Sequence, residues 1–527
     1  MIKYFVFIWI IVAGANLWSG TFYVCISGNN RNIGSLNNPW RDIQYAVNSV
    51  SPGDTILVRE GEYNSPIFIT VSGERGNMIT LKNYPGELPH LNGWVDGELT
   101  DAAGIQSRSW EPREFLSHYR IEGLYISGFR WGGISLNWHT GKDATAGAVS
   151  ETAAKNIEIR HNVVDECGQN GISVFFTEDV IIENNVVSRT GWDTLSTSWS
   201  SGINLYAAGG TNIIRNNISF HHVDVSEHHT DGNGFILDLS YDVPDLTRIY
   251  NNVAFRNGGS GIVITRSGNY TVVNNTCFEN GHNIGYGGGD FAFSGAESFS
   301  GDNVFVNNVG FNGLRTALTQ WQGDIFSSPN ITVSNNLLYP GIYGGDRGVD
   351  PMIPEAEDAN FYPAYNSPLS ANGSAIYAPP YDIGFDHRAL KMITGERRYP
   401  WYTHKPDIEF IRDMGGLKKC FYPQSRGGNP SVGAFELKKT EVSPGEKMEK
   451  NSSSKLFFNP ATSVLSYELG SIDAARVEIF SVSGKRVGAQ PLFSKTGVIK
   501  LNIGSGAYIL RLSSLSQTYS QMIALVK

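Results

Sequence analysis

The sequence predicts an all-β protein, a right-handed parallel β-helix (a solenoid) followed by a small C-terminal β-sandwich. Three observations predict it. Asparagine pairs recur through the middle of the chain, and short β-branched segments flank each pair. The final block, from about residue 455, alternates apolar and polar residues between turn signals.

Residues 1–15, "MIKYFVFIWIIVAGA", give a lysine, an apolar run and Ala13-Gly14-Ala15. That is the pattern of a cleaved secretory signal peptide. The run is shorter than the roughly 20 residues a membrane span needs. The expected location is therefore extracellular, secreted or on the cell surface after passage through the periplasm.

The β-helix domain is expected over 21–437. Near its start, "RDIQYAVNSV" reads as a short amphipathic helix presenting Ile43, Ala46 and Val47. A helix there would cap the solenoid, whose terminal coil otherwise exposes unpaired strand edges. The pairs follow: His161-Asn162, Asn184-Asn185, Asn216-Asn217, Asn251-Asn252, Asn274-Asn275, Asn307-Asn308 and Asn335-Asn336. Their second members are separated by 23, 32, 35, 23, 33 and 28 residues, a basal period of 23 with insertions. Such a coil cannot bury its own apolar face, but coils stacked about 4.8 Å apart can. Asparagine suits the turn because it tolerates the left-handed region and its amide can bond the equivalent amide one coil away. A β-sandwich would not keep a constant 23-residue step, and no part of the repeat has the 3.6 period of a helical solenoid.

Strands aligned on a Gly-aliphatic start are "GGISLNWH", "NGISVFFT", "SGINLYAA", "NGFILDLS" and "SGIVITRS". Alternation places Ile134, Ile172, Ile203, Phe235 and Ile262 inside, with Leu136, Val174, Leu205, Leu237 and Ile264. The outward column is Asn137, Phe175, Tyr206, Asp238 and Thr265; the next is Trp138, Phe176, Ala207, Leu239 and Arg266. Beyond about residue 340 the asparagine rhythm stops. Residues 438–454 are a polar, charged linker and 455–527 the C-terminal block.

A formal charge of −9 argues against nucleic acid as a partner. The four cysteines are scattered without metal spacing, so export would permit a disulfide without requiring one. Candidate chemistry gathers on three successive coils. Insertions bring Trp192 and Trp199, then Asp224, His228, His229 and Asp231, then Asp242, around the strand that ends in Asp238. Carboxylates around Gly-rich backbone offer hard oxygen ligands that suit Ca²⁺, while adjacent histidines diverge and suit zinc poorly. Asp231-Gly232-Asn233-Gly234 is also compatible with a plain tight turn, and Arg266 with a structural ion pair to Asp238.

The opening "TFYVCISGNNRNIGSLNNPWRDIQYAVNSVSPGDTILVREGEY" and "ITLKNYPGELPHLNG" resemble secreted β-helix proteins related to polysaccharide lyases, especially family 9 pectate lyases. The block containing Asn459-Pro460, "VEIFSVSGKRV" and "SGAYILRL" resembles a type IX secretion sorting domain. That second likeness implies the type IX machinery as a partner. The first implies an exported, monomeric enzyme degrading a polysaccharide, probed through "DGNGFILD" (231–238), "NNVAFRNGGSGI" (251–262) and "VVNNT" (272–276). Asp231 and Asp238 would then be Ca²⁺ ligands, joined by Asp224 and Asp242. Arg266 stands where relatives often have lysine, and no lysine occurs between Lys155 and Lys391.

The expected reaction is β-elimination on an acidic, pectic or other uronate glycan. Arg266 acts as base, or as carboxylate clamp with His228 or His229 as base. Trp192, Trp199, Tyr206 and Asn204 are the expected sugar contacts. The alternatives are a hydrolase using Asp231 and Asp238 as its carboxylate pair, or a glycan-binding protein without catalysis.

Overall fold

A computed structural model describes residues 19–437 apart from 109–114, 139–153, 196–198, 241–245, 284–287, 314–315, 340–348 and three single positions. It also describes the backbone of seven strands between Lys455 and Leu525. The signal segment, the linker and Asp242 lie outside the described residues.

Three parallel sheets run the length of the solenoid, with 11, 10 and 9 strands in sequential coil order. The nine-stranded sheet carries the aligned segments, in the register read from the sequence: Ile172 pairs Ile203, Ile203 pairs Phe235, and Phe235 pairs Ile262. The inward rows Ile134, Ile172, Ile203, Phe235, Ile262 and Leu136, Val174, Leu205, Leu237, Ile264 are buried throughout. Each such side chain contributes about 1.5–3 kcal/mol of burial. The cap helix is present at Ile43–Ser49, with Ile43, Ala46 and Val47 buried.

The two asparagines of each pair have different tasks. The first member (His161, Asn184, Asn216, Asn251, Asn274, Asn307, Asn335) sits at a φ of 54–60° and turns the corner. The second points inward and builds the ladder, Asn162 to Asn185 to Asn217 to Asn252 to Asn275 to Asn308 to Asn336, at 3.0–3.2 Å per amide bond.

One expectation is corrected. Asn137 does not stand in the outward column with Phe175. It adopts φ 62°, is buried, and bonds Ser107, the Leu116 backbone and Thr177. In its coil the left-handed corner comes one residue early; in later coils it falls at Phe176, Ala207, Leu239 and Arg266.

Residues 350–437 contribute no coil. Their apolar side chains, among them Phe361, Ile383, Ile411, Leu417 and Phe435, cover the outer face of the ten-stranded sheet at Phe220, Phe255, Phe278 and Phe311. That sheet is therefore buried on both faces. Between 455 and 525 the chain forms a three-stranded and a four-stranded antiparallel sheet. All four cysteines are free.

Candidate functional site

The site is built on the strand Phe235–Asp238. Its alternation keeps Phe235 and Leu237 in the core and sends Asp238 outward, between Tyr206 and Thr265 of the neighbouring coils. Arg266 occupies the left-handed corner just beyond Thr265, at φ 45°, and its backbone N–H donates to the Ser294 carbonyl at 2.8 Å. From there Nη2 reaches Asp238 Oδ1 at 3.1 Å and Oδ2 at 3.4 Å. Arg266 is half exposed, so this pair is worth no more than about 1 kcal/mol and the guanidinium can be recruited by another carboxylate. The corner behind it is held by serines: the Ser240 N–H donates to Ser267 Oγ and the Ser267 N–H to Ser298 Oγ. Gly295 follows in the next coil. A Cβ there would lie 2.7 Å from Arg266 Cγ, so glycine leaves the arginine its place.

The preceding loop is organised by Asp224. Its carboxylate accepts the backbone N–H groups of Ser226, Thr230 and Asp231 at 3.0–3.2 Å. Gly232, at φ 81°, brings the backbone against Val223 and Asp224 and donates to the Ser200 carbonyl at 2.6 Å. Asn233 pins the turn to the next coil by accepting from the Ser260 N–H. The tight-turn reading of Asp231–Gly234 and the site reading are thus compatible: the turn positions Asp231. Burial pushes the Asp231 carboxyl up to about 8, helped by the nearby Asp224 and Asp238 charges and opposed by bonds from Ser201 and Asn233. Asp238 is also raised, by burial, with Arg266 working against the shift.

The two adjacent histidines diverge. His228 stacks on Trp199, centroids 3.9 Å apart and planes within 9°. His229 places Nδ1 2.8 Å from the Asp224 carbonyl. A carbonyl only accepts, so Nδ1 is the donor of that bond. Tyr206 packs against Phe175 and Phe176. Trp192 departs from the expected sugar platform: it stacks with Trp94 at 6.0 Å, and the Arg398 guanidinium lies 3.3 Å over its ring. It lies between Trp94 of the short hairpin of Trp94–Val95 and Glu98–Leu99 and Arg398 of the 350–437 segment. Asn204, on the strand beside Ile236, has no hydrogen-bond partner for its Oδ1 among the described residues.

The Asp224 carboxylate, an expected metal ligand, serves the loop backbone. Among the described residues no group of three or more His, Cys, Asp or Glu side chains is arranged to hold a metal ion. Asp231 and Asp238 alone do not make a calcium cage.

Sequence reasoning missed Asp290, which ends a second amide ladder, Asn257 to Asn280 to Asp290. The signal was present: an aspartate where other coils have glycine before the strand. A cavity of about 670 Å³ lies beside the cap helix, lined by Gln44, Tyr45 and Tyr63 and not by Asp238.

Residues 22–296 match the family described as Pel9A-like, right handed beta helix region. The chain belongs to that family. It is 25% identical over 344 residues to "Pectate lyase L" of Paenibacillus polymyxa (strain SC2), covering 58% of this chain and 71% of that protein. It is 24% identical over 312 residues to "Pectate lyase L" of Dickeya dadantii (strain 3937), covering 54% and 71%. The crystal structure of pectate lyase Pel9A superposes with a TM-score of 0.45 at 15% identity, over 80% of this chain and 96% of that one. In this Pel9A-like helix the outward Asp238–Arg266 row lies inside the matched region.

Proposed function

We propose that this chain is a polysaccharide lyase acting on a uronate-containing glycan. The observation that carries the reading is the weakly held Arg266–Asp238 pair on the outer face of the nine-stranded sheet, beside the desolvated Asp231. The pectate lyase names of the two relatives support it.

In this reading Arg266 leaves Asp238 and takes the C6 carboxylate of the sugar in a two-point bond. The guanidinium then stabilises the negative charge that builds when the C5 proton is removed. His229, through Nε2, is the base; a guanidinium has no free lone pair with which to accept the C5 proton. The C5–H electron pair forms the C4–C5 double bond and the bond from C4 to O4 breaks. The leaving oxygen takes the proton that Asp231 retains up to about pH 8. Trp199 and Tyr206 offer ring faces to neighbouring sugars.

A hydrolase is the second reading, favoured by one observation: a protonated Asp231 near Asp238 resembles an acid paired with a carboxylate. Export through the 1–15 signal and the type IX route, with the 455–527 block as sorting domain, completes the proposal. Incubation with polygalacturonate, alginate, xylan and rhamnogalacturonan, with Ca²⁺ and with chelator, tests it. Ultraviolet-absorbing unsaturated ends are expected. New reducing ends without that absorbance mean a hydrolase, and no cleavage leaves binding alone.

A further inference from the structure

Residues 350–437, the cover of the ten-stranded sheet, are fastened to the solenoid through a histidine ring as well as through apolar packing. His221 follows the strand Ile218–Phe220 and begins the connection to Phe235–Asp238, the loop that carries Asp224, His229 and Asp231. It is buried, at φ 61°. Both of its ring nitrogens engage one short stretch of the cover. Nδ1 lies 3.0 Å from the His404 carbonyl, and the Thr403 backbone N–H donates to Nε2 at 3.2 Å. A carbonyl only accepts and an amide N–H only donates, so Nδ1 carries the proton and Nε2 the lone pair. The ring is therefore the neutral imidazole, fixed in one tautomer by two backbone groups. Tyr402 stacks on its face, centroids 4.9 Å apart.

A second proton, on Nε2, would face the Thr403 N–H, donor against donor. The charged neighbours are accounted for on each side. From the solenoid the ring faces His222, Arg189 and Arg256. Arg189 is paired with Asp165 and Glu166, and Arg256 with Glu279 and with Glu357 of the cover. From the cover it faces Tyr402 and His404, and His404 in turn has Arg397 and Asp358 nearby. Arg256 Nη1 also donates to Thr403 Oγ1 at 2.6 Å. Burial holds His221 well below the ordinary histidine value, and the His404, Arg256 and Arg189 charges act the same way. Two more solenoid histidines touch the cover: His161 meets Phe421 edge-on, and His282 stacks on Trp401.

We infer that His221 is an acid-sensitive latch between the cover and the root of the candidate-site loop. As a neutral ring it fastens the two; on taking up a proton it gives up the Thr403 bond and both come free. In the opened form the ring meets water and titrates near pH 6.5. The latch is thus at full strength above about pH 7, and below about pH 6.5 each unit favours opening about tenfold through this ring alone. The 221–234 connection loses its anchor in the same step, so the site loosens together with the cover. The inference holds whichever reaction the site performs.

Hydrogen exchange on the full chain, resolved by peptide between about pH 7.5 and 4.5, tests it. Protection factors are compared for the strand His404–Pro406, the helix Ile408–Asp413 and the solenoid strand Ile172–Phe175. Protection of the first two is expected to fall at least about tenfold per pH unit below about pH 6, while the solenoid strand keeps its own. His221→Gln retains a donor and an acceptor but gains no proton in this range. Its cover should lose protection about tenfold less steeply per pH unit, the remaining slope belonging to His404, His161 and His282. A flat profile in the unaltered chain, the same slope in both proteins, or equal loss in the solenoid strand overturns the latch. The pH series on the unaltered chain decides by itself if the variant does not fold.

Discussion

Single side chains carry most of the chemistry, and two of them make sharp predictions. Asp290 is fully buried, and burial pushes its carboxyl up to about 8, with bonds from Asn280 opposing the shift. The unfolded chain releases that proton near pH 4. Between about pH 4 and 8 the native state thus holds a proton that the unfolded state has lost, so stability falls as pH rises through that window. Asp290→Asn keeps the shape and ends the ladder in an amide. Its advantage in urea melts should grow from pH 4 to pH 8 and reach roughly 1–3 kcal/mol; a pH-independent difference would contradict the assignment. Gly295→Ala tests the placement of Arg266, because the new methyl would meet Arg266 Cγ and the residue sits at φ 87°. It should lower kcat/KM about tenfold or more and cost about 1–3 kcal/mol of stability. Unchanged kinetics would show that Arg266 needs no exact seat.

At the scale of elements, the asparagine ladder and the strand register were both legible in the sequence. The 23-residue step exposed the ladder, and the Gly-aliphatic start fixed which face each strand buries. The division of labour within each pair was not legible, because two identical residues cannot announce which takes the corner. Asn137 misled for a related reason: a corner one residue early moves a side chain from the outer face to the interior. Asn252 sits mid-ladder, donating to Asn275 and to the Ile214 carbonyl and accepting from Asn217. Asn252→Ala leaves those groups buried and unpaired, at about 2–4 kcal/mol. Thermal or urea unfolding checks this, and a cost below about 0.5 kcal/mol would mean the ladder is dispensable.

For the whole molecule, the sequence showed a solenoid but not its cover. Residues 350–437 have no period to read, since they follow the surface of the ten-stranded sheet instead of coiling. The clue lay in the sheet: segments such as "VVS", "VAF" and "TCF" are buried at every position instead of alternating. Phe361, from the cover, contacts Phe255, Phe278 and Phe435. Phe361→Ala should therefore cost about 3–5 kcal/mol although it lies outside the coils. A change under 1 kcal/mol in the urea midpoint analysis would show the cover to be loosely attached.

The site belongs to this larger frame as well, because a rigid stack of coils holds the half-exposed Arg266 where the proposed reaction would take place. The most direct measurement is the rate of unsaturated-end formation by Arg266→Ala beside the unaltered chain, on whichever acidic glycan the latter cleaves. The account predicts a loss of at least about 100-fold with an unchanged thermal transition. Full activity in the variant, with the same ultraviolet-absorbing product, would contradict it.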